Sequence, residues 1–169
     1  IDVVTTAGSA EQAYPLIRQY EPDLLLVDIG LPGETGIDLI RRVKRALPDV
    51  DILAHTVFDN RSTVLEAIRA GASGYILKGS TPRELVEALH SLHAGGAPMS
   101  PRIARALIRE FQEASCEDAY VLSPREVEIL RSLEAGLTYQ EISGDLAISP
   151  HTVHSHIKNI YEKLHAKGR

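Results

Sequence analysis

Along the first hundred residues short apolar runs alternate with amphipathic helical stretches, and this rhythm limits the fold more than any other feature. Val3-Val4 opens as a strand. Ser9 and Gln12 have the spacing of a capping box, for a helix to about Tyr20. Leu24–Val27 is continuously apolar, as expected of a strand covered on both faces of a parallel sheet. A Pro/Gly-rich turn, Leu31–Gly36, leads into a helix with Ile37, Ile40, Val43 and Leu47 at helical spacing. A strand over Asp51–Thr56, a helix over Thr63–Ala70, a strand over Gly74–Leu77 and a helix over Pro82–Ala94 complete the series. Thr81, Pro82 and Glu84 mark that last start. Strand and helix at this rhythm mean βαβ units and an α/β fold with a doubly wound parallel sheet.

From Ser100 the pattern becomes all-helical. Ser100-Pro101 starts a helix to about Ala114, and residues 115–121 read as a linker. Three short helices follow, starting at Ser123-Pro124, Thr138-Tyr139 and Ser149-Pro150, with Gly136 as a stop for the first. Only Ala147-Ile148 separate the second from the third. Helix, tight turn and helix, with cations on the last, is a helix-turn-helix pattern.

Charge separates the two parts as well. The net charge is −5, and all of it falls in the first 120 residues, because 121–169 hold equal numbers of acidic and basic residues. That excludes a uniformly basic nucleic-acid coat but leaves room for a basic patch. No run approaches the roughly 20 apolar residues of a membrane span. No leader precedes the first strand, and one cysteine, Cys116, allows neither an internal disulfide nor a zinc cluster. The expected setting is a reducing cytoplasm. Met99 is internal, so Ile1 is not read as the start of the gene.

In open parallel sheets ligands bind at the carboxyl ends of the strands. Here those ends carry Asp28, Thr56 and Lys78. A carboxylate can attack a phosphoryl group, a lysine can stabilise the transferred oxygens, and a threonine hydroxyl can report the acyl phosphate by moving. Taken singly, the aspartate reads equally as a turn residue and the lysine as a solvated charge. The combination on successive strand ends is far more specific.

LLVDIGLPGETG over Leu25–Gly36, Thr56, and Gly74-Tyr75-Ile76-Leu77-Lys78 resemble the receiver domain of two-component response regulators. The tail Leu122–Gly168 resembles the LuxR-type helix-turn-helix, and together they are similar to the NarL/FixJ family of transcription factors. The resemblance implies a flavodoxin-like receiver over 1–97, a linker helix and linker over 98–121, and an all-α DNA-binding domain over 122–169. It makes Asp28 the phospho-acceptor, Thr56 and Tyr75 the switch residues and Lys78 the phosphate-pairing lysine. It also implies Mg²⁺ held by Asp28 and the carbonyl of Gly30. A half-buried strand aromatic is the plainer reading of Tyr75.

The sequence departs from the family at both ends. The family's first strand, with its acidic pair, and its first helix are not present, so the Mg²⁺ site is incomplete in this chain. In the strand order 2-1-3-4-5 that strand lies between Val3-Val4 and Leu24–Val27. An unrecorded or disordered N-terminus, a proteolysed chain, or a strand supplied by another molecule would each account for it. The fourth helix of LuxR-type domains, which serves dimerisation, is missing too.

Ser149–Leu164 is the expected recognition helix. Val153, Ile157, Ile160 and Leu164 form its apolar stripe. The resemblance assigns base contacts to His154, Ser155 and Lys158, and phosphate contacts to His151, Thr152 and Asn159. The implied function is a DNA-binding, transcription-regulating response regulator, controlled by a sensor histidine kinase and dimeric when active, with no enzymatic role. A phosphorylation-independent regulator or interaction module is the alternative. A phosphatase of the haloacid-dehalogenase kind would need a second acid two residues after the nucleophile, and position 30 is glycine.

Overall fold

Polar side chains set the helix starts. In the computed structural model, which describes residues 1–58, 60–113 and 122–165, α1 (Ala10–Tyr20) begins at Ser9, whose hydroxyl accepts the Gln12 amide at 3.4 Å. The capping box expected there is only half made, because Gln12 Oε1 accepts from the Gly8 amide instead, at 3.2 Å. Thr35 caps α2 (Gly36–Ala46) in the same way. Helix α3 (Arg61–Ala70) starts two residues earlier than its apolar spacing predicts, since Asn60 Oδ1 accepts the Thr63 amide at 3.0 Å. Thr81 with Glu84 makes the complete capping box of α4 (Pro82–His93).

The strands β1 (Leu24–Val27), β2 (Asp51–Thr56) and β3 (Gly74–Leu77) form a parallel sheet in the order β1-β2-β3. Ile52 and Ala54 of β2 face the main core, which α2 and α3 complete. Leu53 and Ile76 face the other side and meet Leu92 of α4 in a small second core. The sheet therefore has helices on both faces, as its strand–helix alternation predicts. The strand expected at Val3-Val4 does not form. Both residues are exposed, and among the described residues no strand pairs with the outer edge of β1. Among the described residues no strand lies beside Val3-Val4 to accept their hydrogen bonds, and two residues alone make no ladder.

Beyond the sheet, α5 (Pro101–Glu113) leads to α6 (Pro124–Glu134), α7 (Tyr139–Asp145) and α8 (Pro150–His165); the expected linker over 115–121 lies outside the described residues. Complete capping boxes at Ser123–Glu126 and Thr138–Glu141 start α6 and α7. The turn into α8 passes through Ala147 in the left-handed region, at φ 51°. Val153, Ile157, Ile160 and Leu164 are buried, as their spacing predicts.

The two halves share one apolar core, because α8 packs on α3 and α5 packs on α6. Residues 97–99 run beside β3 and mediate this contact. The Tyr139 hydroxyl donates to the Ala97 carbonyl and accepts from the Met99 amide, both at 3.0 Å. The Tyr161 hydroxyl donates to the Pro98 carbonyl at 3.3 Å, and His165 Nε2 lies 3.1 Å from the Ala72 carbonyl.

Candidate functional site

Strand polarity brings Asp28, just past β1, to the same end of the sheet as Thr56, the last residue of β2, and Lys78, just past β3. Lys78 Nζ donates to Asp28 Oδ2 at 2.6 Å, so the ion pair crosses the end of the central strand. Asp28 Oδ1 accepts the Gly30 amide at 3.0 Å. Burial pushes the Asp28 carboxyl up. The Lys78 ammonium, the Gly30 amide and the Thr56 hydroxyl outweigh it and hold the group below its ordinary value. The result is a partly exposed, ionised carboxylate with a cation already in place, chemistry compatible with attack on phosphorus.

Gly36 makes the approach possible. A Cβ at that position would stand 2.1 Å from the Asp28 carbonyl oxygen, so α2 begins against the end of β1 only because the residue is glycine. The oxygens of Asp28 and the Gly30 carbonyl are of the kind that Mg²⁺ takes. A carboxylate has about four lone-pair sites, so the bonds to Gly30 and Lys78 leave Asp28 able to bind a cation.

Reading the strand ends missed His55. The register pairs Val27 with Ala54, and His55 with Ile76, so His55 occupies the central strand between Asp28 and Lys78. Burial, and then the Lys78 ammonium, push its imidazole down, while Asp28 opposes them. The two-residue period of β2 would have found it, since Leu53 and His55 share a face.

Thr56 is fully buried, and its hydroxyl accepts the Phe58 amide at 3.4 Å. Tyr75 is also fully buried, rather than half-buried as an ordinary strand aromatic, and its hydroxyl donates to the Phe58 carbonyl at 2.8 Å. The Tyr75 amide donates to the Pro98 carbonyl at 3.1 Å, the oxygen that also receives the Tyr161 hydroxyl. A continuous set of hydrogen bonds therefore runs from Thr56 through Phe58, Tyr75 and Pro98 to α8.

On α8, His151, Ser155, Lys158 and Asn159 are exposed and Thr152 is half-buried. Four polar residues with one lysine suit a groove of bases and phosphates. His154 is placed differently. Its ring meets Tyr139 edge-on at 4.7 Å, and Nδ1 is buried without a hydrogen-bond partner.

Residues 1–90 match the family model for the response regulator receiver domain, and residues 120–169 match the model for bacterial regulatory proteins of the luxR family. The oxygen regulatory protein NreC of Staphylococcus carnosus is 32% identical over 177 residues, covering 100% of this chain and 82% of that protein. The transcriptional regulatory protein LnrK of Bacillus subtilis is 31% identical and covers 100% of this chain and 81% of its own. Among solved structures, a LuxR-family two-component response regulator from Aurantimonas superposes with a TM-score of 0.61 at 40% identity, over 66% of this chain and 79% of that one. A structure of two RcsB dimers bound to two parallel DNAs superposes with a TM-score of 0.55 at 26% identity, over 94% of this chain and 76% of that one.

Proposed function

The chain belongs to the response regulators that join a receiver domain to a LuxR-type DNA-binding domain, and on that premise we propose that phosphorylation of Asp28 controls how α8 meets DNA. Such regulators act in two-component transcription regulation and are not enzymes. The observation that carries the reading is the 2.6 Å pair of Lys78 with Asp28 across the end of the sheet. The phospho-donor is a sensor histidine kinase, whose phosphoryl group passes to an Asp28 carboxylate oxygen. Lys78 then pairs with the new phosphoryl oxygens. Asp28 and the Gly30 carbonyl would contribute oxygens to a bound Mg²⁺, which would supply neutralisation of charge on the phosphoryl group. The buried Thr56 hydroxyl turns toward the acyl phosphate, releases the Phe58 amide, and alters what Tyr75 holds.

His151, Thr152 and Asn159 are assigned to phosphates and His154, Ser155 and Lys158 to base edges, with the active form a homodimer in the cytoplasm. The functional division is receiver over 1–97, linker over 98–121 and DNA-binding domain over 122–169. Among the described residues no helix is long and apolar enough to cross a membrane.

Two variants of the complete protein test the reading. Incubated with acetyl phosphate and Mg²⁺, the wild type gains the mass of one phosphoryl group and Asp28→Asn does not. Thr56→Ala gains the mass but loses the phosphate-dependent rise in DNA affinity measured by fluorescence anisotropy. Wild-type affinity indifferent to the phosphate donor would favour the phosphorylation-independent regulator instead.

A further inference from the structure

The DNA-reading assignment and the structure meet unexpectedly at His154. The side chain assigned to a base edge is turned into the contact between the two domains. Its Nδ1 atom is buried without a hydrogen-bond partner. A Cβ added to Gly96 would lie 2.6 Å from that nitrogen and 2.6 Å from Ser91 Oγ, so the ring fills the space over a glycine beside the end of α4. Ser91 Oγ is itself buried and without a hydrogen-bond partner. Two buried polar atoms without a partner among the described residues thus flank the same glycine at the domain contact.

We propose that His154 is a proton-sensitive latch, which docks α8 on the receiver when its ring is neutral and releases it when the ring is protonated. This rests on the reading of α8 as the DNA-binding helix. An imidazolium carries two N–H donors and a full charge. In the docked state Nδ1 makes no hydrogen bond among the described residues, and desolvation penalises the charge.

The groups that face the ring agree in sign. Tyr139 from α7 stands nearly perpendicular to the ring, and burial pushes its phenol up, so it stays neutral. The segment from Gly96 to Ser100 brings no ionisable side chain. Ser91 of α4 is uncharged, and the other titratable residues at that end of α4, His90 and His93, are exposed. On its own helix His151 opposes a second positive charge. Burial first, and His151 second, hold the docked imidazole below its ordinary value.

The linkage sign follows. A base with a lowered docked value makes docking strong above the undocked value, about 6.5 for histidine, and weaker as pH falls below it. One proton limits the loss to about tenfold in the docking equilibrium per pH unit. Once free, the ring faces DNA, where anionic phosphates favour the charged form. Acid therefore opens the molecule and strengthens its hold on DNA through the same residue.

The test uses the complete protein without DNA. Small-angle scattering of the monomer is recorded at about pH 7.5 and about pH 5.5 for wild type, His154→Gln and His154→Phe, the second of which keeps an aromatic edge against Tyr139. Wild type expands on acidification, and the variants do not change size. A wild type of constant size, or an equal expansion in both variants, overturns the proposal. Should both variants be extended already at the higher pH, the wild-type ring decides. Its NMR titration must coincide with the size change, and midpoints that differ overturn the latch. DNA affinity is measured separately. Equal binding of a cognate duplex by wild type and Lys158→Ala would remove the DNA reading of α8 while leaving the size change in place.

Discussion

At the scale of single residues, the Asp28–Lys78 ion pair governs the ionisation of the carboxyl end of the sheet. Asp28 and Lys78 are 50 positions apart, yet both stand one residue past an apolar run, which places them at the same end of a parallel sheet. Replacing Lys78 by methionine removes the main group that lowers the Asp28 carboxyl and leaves the burial that raises it. We expect NMR titration of Asp28 in that variant to give a value above that of the wild type, which lies below the ordinary aspartate figure of about 3.9; the Gly30 amide and Thr56 hydroxyl still hold the variant's carboxyl down in part. A group lowered by folding stabilises the fold above its unfolded value, and the gain disappears as pH falls through the folded one. Wild type should therefore lose this contribution in acid, and Lys78→Met should have less to lose. Gly36 gives a second residue-scale prediction. Gly36→Ala sets a methyl against the Asp28 carbonyl, and overpacking of that kind costs about 1–3 kcal/mol. Urea unfolding measures the loss, and an unchanged midpoint would show that the helix start can shift. His55 is not legible from the strand ends, because its place beside Asp28 depends on the register across three strands.

At the scale of elements, legibility followed chemistry that is local in sequence. β1, β2 and β3 have the bounds that the sequence predicts, and α4, α6 and α7 start at side chains that accept the amide three residues on. Errors arose where a partner outside the segment decided the outcome. Gln12 completes a local box on paper and bonds Gly8 in the fold, and Val3-Val4 has strand composition but no neighbour to pair with. Glu126 combines both kinds of interaction. Its carboxylate accepts the Ser123 amide at 2.7 Å to close the cap of α6, and also the Lys163 ammonium of α8 at 2.6 Å. Capping spacing reveals the first contact, and nothing in the sequence reveals the second. Burial raises the Glu126 carboxyl, and Lys163 and the Ser123 amide lower it further, to below the ordinary value. Glu126→Ala removes both bonds and should destabilise the DNA-binding domain by about 1–3 kcal/mol in urea unfolding at neutral pH. Glu126→Gln keeps a neutral cap and loses less. Because the folded carboxyl is lowered, the advantage of wild type over Glu126→Gln is present above about pH 4.3 and shrinks as pH falls through the folded value. A gap that is the same at pH 7 and in acid would exclude the ion pair as its source.

At the scale of the whole molecule, the sequence announces two parts through charge and periodicity but says nothing about how they meet. Ion pairs of Arg61 and Arg69 with Glu110 and of Arg105 with Glu134 join α3, α5 and α6, but much of the contact is made by uncharged groups, the backbone of residues 97–99 and two tyrosine hydroxyls, none of which stands out in composition. Tyr139 is the clearest example. It starts α7, which reads as an ordinary helix, yet its hydroxyl satisfies a carbonyl and an amide of the segment beside β3. Tyr139→Phe keeps the ring against His154 and removes only the oxygen. The Ala97 carbonyl and Met99 amide then lose their partner in the docked state but can reach water once the domains part. An unsatisfied buried polar group costs about 1–3 kcal/mol, and about 1.4 kcal/mol is tenfold in an equilibrium constant. Docking should weaken by roughly ten- to a hundredfold, with no change in the circular dichroism of α6–α8. Hydrogen exchange reads this directly, since the Met99 amide should lose protection by the same factor. If docking restrains α8, DNA affinity without a phosphate donor should rise in step. Met99 protection equal to wild type would mean that this hydroxyl does not hold the domains together. Lost protection with unchanged DNA affinity would mean that the docked arrangement leaves α8 free to read DNA, and that phosphorylation acts on this protein through dimerisation.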